Sequence, residues 1–61
     1  MTDRDKFYNI LSDIYGDRVR EIANHLVVGR LRLTFDKMGD LVRIDHRPHS
    51  RDSSYKVIGR A

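Results

Sequence analysis

Residues 30–44 read Arg30-Leu31-Arg32-Leu33-Thr34-Phe35-Asp36-Lys37-Met38-Gly39-Asp40-Leu41-Val42-Arg43-Ile44. Leu31, Leu33 and Phe35 alternate with Arg30, Arg32 and Thr34, the period of a strand with one apolar face. Beyond a turn-prone stretch, Val42 and Ile44 alternate with Leu41, Arg43 and Asp45. The two runs predict an antiparallel hairpin over 30–47, closed by Pro48, which cannot donate to a ladder.

The turn decides which side chains share a face. For Val42 and Ile44 to join Leu31, Leu33 and Phe35, odd-numbered residues must oppose even-numbered ones. That requires an even loop, Asp36-Lys37-Met38-Gly39, with Asp36 suited to its first position and Gly39 to its last. A three-residue loop would place Arg43 among the leucines and split the apolar set. The even loop puts Leu41 with the arginines. After Pro48 a polar stretch predicts a loop, and Tyr55-Lys56-Val57-Ile58 suits a short third strand, loop and strand together covering 48–59.

Upstream, the period changes to that of a helix. Thr2 can accept from free amides, and Asp3 and Asp5 suit the positive end of a helix dipole. Phe7, Ile10, Leu11 and Ile14 recur at three- and four-residue steps, and Val19, Ile22, Ala23 and Leu26 continue the pattern. Gly16 can cap one helix and Asp17 can start the next; a single helix running through Gly16 would cost about 1 kcal/mol relative to alanine. The break is favoured. The segment 3–27 is therefore expected to be helical, and Val27 and Val28, both β-branched, lead out of it.

The expected fold class is α+β: one or two N-terminal helices packed on an antiparallel β-hairpin with a short third strand, in a single small domain over 1–61. The expected core is Phe7, Ile10, Leu11, Ile14, Val19, Ile22, Leu26, Leu31, Leu33, Phe35, Val42 and Ile44.

A chain of 61 residues buries only about 60% of its unfolded surface. It has no cysteine, hence no disulfide and no thiolate metal site. Self-association is the remaining remedy, so a homodimer is expected. No apolar run approaches the ~18 residues of a membrane span. The charged start, Thr2 to Lys6, does not resemble a secretory leader. A cytoplasmic, non-membrane protein is expected, consistent with the absence of cysteine.

Charge is uneven. Residues 1–29 carry four basic and five acidic side chains, and residues 30–61 carry eight and four, for a net +3 and an isoelectric point near 9.7. A basic half on a small domain points to an acidic partner, nucleic acid foremost. The candidate nucleic-acid-binding residues are Arg30, Arg32, Arg43 and Arg47 on the polar hairpin face, with Arg51 and Lys56 from the tail, where Arg60 could add a further phosphate contact. A two-stranded ribbon fits the major groove, and guanidinium forks suit phosphates and guanine edges. Asp36, Asp40 and Asp45 oppose this, and cross-strand Arg–Asp pairs are ordinary on any sheet surface. Of the tyrosines that could stack on bases, Tyr8 and Tyr55 are candidates, while Tyr15 adjoins the apolar helical face.

His25, His46 and His49, with Asp45 and Asp52 nearby, raise a metal site. Pro48 lies between His46 and His49, which prevents a helical ligand pair, and no thiolate assists. No metal, cofactor or catalytic residue is assigned: no nucleophile–base pattern stands out, and the glycines are isolated.

The stretch from Gly29 to Pro48 is similar to the dimerising hairpin of the Cro repressors of lambda-type phages. The shared elements are Gly29-Arg30, Leu33-Thr34-Phe35-Asp36, Gly39 and Pro48. The resemblance implies a dimer-forming hairpin. It carries over no functional residue, because the chain before Gly29 holds no helix-turn-helix. The function expected is therefore a small non-enzymatic nucleic-acid-binding regulator. The alternative is a protein-binding inhibitor or adaptor of the kind mobile elements encode, its ribbon docked on an acidic protein surface.

Overall fold

Thr2 opens the first helix, α1 (Asp3–Tyr15), through a capping box: its hydroxyl accepts from the Asp5 amide at 3.2 Å, and the Asp5 carboxylate accepts from the Thr2 amide. In this computed structural model, which describes residues 1–48 and 54–61, α1 ends where Gly16 takes φ 63°. A single 3₁₀ turn, Gly16–Arg18, then swings the chain into a sheet.

The sheet has five antiparallel strands in sequential order: β1 (Arg20–Ile22), β2 (His25–Val28), β3 (Leu31–Phe35), β4 (Leu41–His46) and β5 (Lys56–Arg60). The fold is thus α+β, with one helix rather than two. The expected second helix is replaced by the β1–β2 hairpin. Val19, Ile22, Ala23 and Leu26 have helical spacing, but Leu26 and Val28 also alternate, and pairing of β2 with β3 buries both. Tertiary pairing overrides the local period, because it pairs the backbone of β3 on its otherwise open side. The hairpin turns at Ala23, which holds φ 52°, and Asn24, whose side chain donates to the Phe35 carbonyl at 2.9 Å.

The β3–β4 pairing keeps the expected parity in the body of the hairpin: Leu33 opposes Ile44. The loop differs. It spans Asp36–Asp40, and a bulge between Thr34 and Phe35 absorbs the extra residue, so that Phe35 opposes Leu41. Leu41 consequently packs on the core, contrary to its expected place among the arginines, and Val42 is left 44% exposed. The Asp36 carboxylate holds the loop by accepting from the amides of Met38 and Asp40.

This loop docks on the helix start. The Asp3 carboxylate accepts from the Leu41 amide at 3.0 Å, and the Gly39 carbonyl accepts from the Arg4 amide at 2.9 Å. A Cβ on Gly39 would lie 2.7 Å from the Thr2 Cβ, and φ there is 83°, so both space and backbone demand glycine.

The buried core is Leu11, Leu26, Val28, Leu33 and Phe35, flanked by Phe7, Val19, Leu31, Leu41 and Ile44. The Phe7 and Phe35 rings meet at 6.2 Å between centroids. Four expected core residues, Ile10, Ile14, Ile22 and Val42, are exposed instead. Ile10 and Ile14 lie on the outward stripe of α1, because a single helix over a sheet buries one narrow face; Ile22 lies on the sheet face that the helix does not cover. The third strand forms as β5, though displaced to Lys56–Arg60. The expected polar loop at 48–54 falls mostly outside the described residues.

Replacement of Phe35 by alanine should lower stability by about 3–5 kcal/mol. Val42→Ala should stay within about 0.5 kcal/mol. Urea denaturation of both variants checks the bulged register: a larger loss at Val42 would restore the even loop.

Candidate nucleic-acid interface

Strand alternation and register divide the sheet into two faces. α1 covers the face bearing Leu26, Val28, Leu31, Leu33, Phe35 and Ile44. The other, open face follows from the pairs Arg20–Val27, Ile22–His25, Val27–Arg32, His25–Thr34, Thr34–Arg43, Arg32–Asp45, Arg43–Arg60 and Asp45–Val57.

At the centre of that face sits Asp45, 2% exposed. Its Oδ2 accepts from Arg32 Nε at 3.3 Å, Arg32 Nη2 at 3.2 Å and Arg43 Nε at 3.1 Å. A carboxylate buried this deeply needs charged donors, and the two guanidiniums supply them. The Arg32 guanidinium in turn lies over the Tyr55 ring, 4.0 Å from its centroid, and that of Arg47 lies 5.4 Å away. Tyr55 immediately precedes β5, so the fifth strand brings the ring to the arginines.

His25 Nδ1 and Thr34 Oγ1 are 3.0 Å apart on the same face. Burial holds the His25 pKa below its ordinary 6.5, and Arg32 and Arg43 lower it further; Asp45 acts the other way. The imidazole is thus neutral at pH 7. Since its folded pKa is depressed, the stability tied to it is complete above 6.5 and is lost as pH falls through the lowered folded value.

The sequence-derived candidates distribute unevenly. Arg32, Arg43 and Arg47 share the open face. Arg30 occupies the tight β2–β3 turn, where its Nη1 donates to the Pro48 carbonyl at 2.7 Å. Lys56 opposes His46, so it belongs to the helix-covered side and not with the arginines. Arg51 and His49 lie outside the described residues. His25 and His46 point to opposite faces of the sheet, which separates two of the three histidines raised as metal ligands.

Two further basic residues, Arg18 and Arg20, emerge only from the structure. Arg20 and Arg60 join the open face through β1 and β5. Arg18 and Arg20 line an open groove of about 560 Å³ with Asp17, Val27, Gly29, Arg47 and Tyr55. The alternation of Arg18 and Arg20 with Val19 carries the signal, but it is invisible once 17–27 is read as a helix.

Comparison of the chain with protein-family models, with characterised proteins and with solved structures finds no match. Among the described residues no helix is long and apolar enough to cross a membrane.

Asp45→Asn should cost about 1–3 kcal/mol by urea denaturation, since two partly exposed guanidiniums lose their charged acceptor. It should also lower the His25 titration midpoint below that of the native chain, because a raising charge is removed. Proton NMR of the imidazole reads this directly, and an unmoved midpoint would contradict the arrangement.

Proposed function

We propose that this chain is a small, non-enzymatic nucleic-acid-binding regulatory protein of the cytoplasm, acting through the open face of its sheet. One observation carries the reading. Arg20, Arg32, Arg43, Arg47 and Arg60 lie on that face, and its strands contribute one carboxylate among the described residues, Asp45, which two of those arginines cover. The helix side and the loops hold Asp3, Asp5, Asp13, Glu21, Asp36 and Asp40, and Asp17 borders the face beside Arg18 and Arg20. Segregation of charge by face produces a positive surface larger than the net +3 implies, and such a surface attracts the phosphate backbone.

Arg32 and Arg43 serve the fold as well as the surface, so neutralising them would strand Asp45. The informative pair is Arg20 and Arg60, exposed at opposite edges of the sheet. Each phosphate that is no longer neutralised lowers the log–log salt slope of binding by about 0.7–0.9. Arg20→Gln with Arg60→Gln should therefore reduce the slope by about 1.4–1.8, measured by anisotropy of a labelled oligonucleotide. The control Lys6→Gln with Lys37→Gln, away from that face, should leave it nearly unchanged. Equal effects from both pairs would indicate diffuse attraction and defeat the assignment.

The same reading includes a homodimer. Ile10 and Ile14, 54% and 66% exposed and one turn apart on α1, give an apolar stripe opposite the basic face. Self-association there leaves the basic face open to a ligand. Sedimentation equilibrium should show a dimer at micromolar concentration that Ile10→Lys with Ile14→Lys returns to monomer. A native chain that stays monomeric removes the dimer from the proposal.

A further inference from the structure

We propose that the open face takes a single-stranded nucleic acid, with a backbone phosphate seated between Arg18, Arg20 and Arg47 and a base stacked on the Arg32 guanidinium. The inference rests on the nucleic-acid reading above and narrows it to one kind of strand.

The first argument is width. A free two-stranded ribbon could enter the major groove, but here β3 and β4 are flanked by β2 and β5. The sheet has four inter-strand spacings, about 19 Å in all at ~4.8 Å each, against a major groove about 12 Å wide. The hairpin arginines thus sit in the middle of a broad face that cannot follow base edges into a duplex. α1 offers no substitute: it lies on the opposite side, and its exposed stripe carries Ile10 and Ile14.

The second argument is the chemistry of the face. Single strands are held by planar groups that take unstacked bases, beside cations that take phosphates. Arg32 supplies such a plane. Tyr55 covers one side of its guanidinium at 4.0 Å, and two N–H groups are tied to Asp45, so its orientation is set before any ligand arrives. The side chain still keeps 27% of its surface exposed, so it remains within reach of a base.

The third argument is adjacency. The groove of about 560 Å³ is lined by three arginines against one carboxylate, Asp17, and has Tyr55 in its wall. Its volume is in the range of sites that hold small ligands, roughly 300–1,000 Å³. Tyr55 therefore belongs to both the phosphate seat and the stacked pair. A phosphate in the groove and a base on Arg32 are neighbours, as they are within one nucleotide unit.

The test is fluorescence anisotropy with labelled single-stranded DNA, single-stranded RNA and duplex DNA of equal length at low salt. Either single strand should bind about tenfold or more tightly than the duplex. Arg18→Gln with Arg20→Gln, both exposed, should weaken single-strand binding by about tenfold and, with one phosphate seat lost, reduce the salt slope by about 0.7. Arg60→Gln, on the same face outside the groove, should leave the preference for single strands over the duplex unchanged. Circular dichroism confirms that the variants fold. Duplex binding as tight as that of the single strands would overturn this inference and leave the nucleic-acid reading standing. Absence of binding to all three would overturn that reading itself. A single-strand preference that survives loss of Arg18 and Arg20 would overturn the seat.

Discussion

The buried carboxylate of Asp45 is the constraint around which the open face is organised. A sheet covered by one helix has a second face that nothing apolar shields. Here Arg32 and Arg43 close over Asp45 and Tyr55 closes over Arg32, so that a stack of polar groups takes the place of a second layer. Such a stack is not the strongest way to stabilise a fold. A buried ion pair replaced by well-packed apolar side chains is often neutral or stabilising, because desolvation offsets most of the Coulomb gain. What the stack does provide is fixed geometry at a positive surface.

The apolar side is held by a different device. With five buried apolar residues in the core, packing alone leaves a small margin. The first turn of α1 compensates by fastening distant parts of the chain. Asp3 and Arg4 bind the β3–β4 loop, Gly39 admits Thr2 at close range, and Arg4 donates to the Ala23 carbonyl at 3.1 Å while lying 3.8 Å from Glu21. The helix start thus ties both hairpin turns at one end of the sheet. The exposed Arg4–Glu21 pair contributes little by itself; the hydrogen bonds to backbone groups set the geometry.

Elements that are stated locally are legible in the sequence. Thr2 and Asp5 make the cap that their spacing implies, Gly16 ends the helix, and the alternation of Leu31 to Phe35 forms a strand. A short apolar set whose spacing suits two periods misleads. Val19, Ile22 and Leu26 fit a helix as well as a hairpin, and the decision comes from β3, which offers Leu33 and Leu31 as partners to Leu26 and Val28. The bulge at Thr34 and Phe35 is illegible for a similar reason. Asp36 announces a turn without fixing its length, and the docking of the five-residue loop on α1 is a long-range contact that leaves no local signature. An error of one residue there moves Leu41 from the polar face to the core.

The candidate site follows the same division. That Arg32 and Arg43 share a face away from the core is readable from alternation; that they are anchored on the carboxylate between them is not. Arg18 and Arg20 escape a sequence reading because it takes 17–27 for a helix, and Arg60, legible only as a tail residue, has no face until β5 is paired. Arginines of identical composition thus fall into two physical kinds. Those bound to Asp45 have lost mobility and part of their hydration in folding, so they present rigid planes. Those at the sheet edges keep both, and respond to any anion that approaches. A face combining the two kinds can orient a ligand with the first and attract it with the second, a division of labour that depends on register and is therefore hidden until the strands are paired.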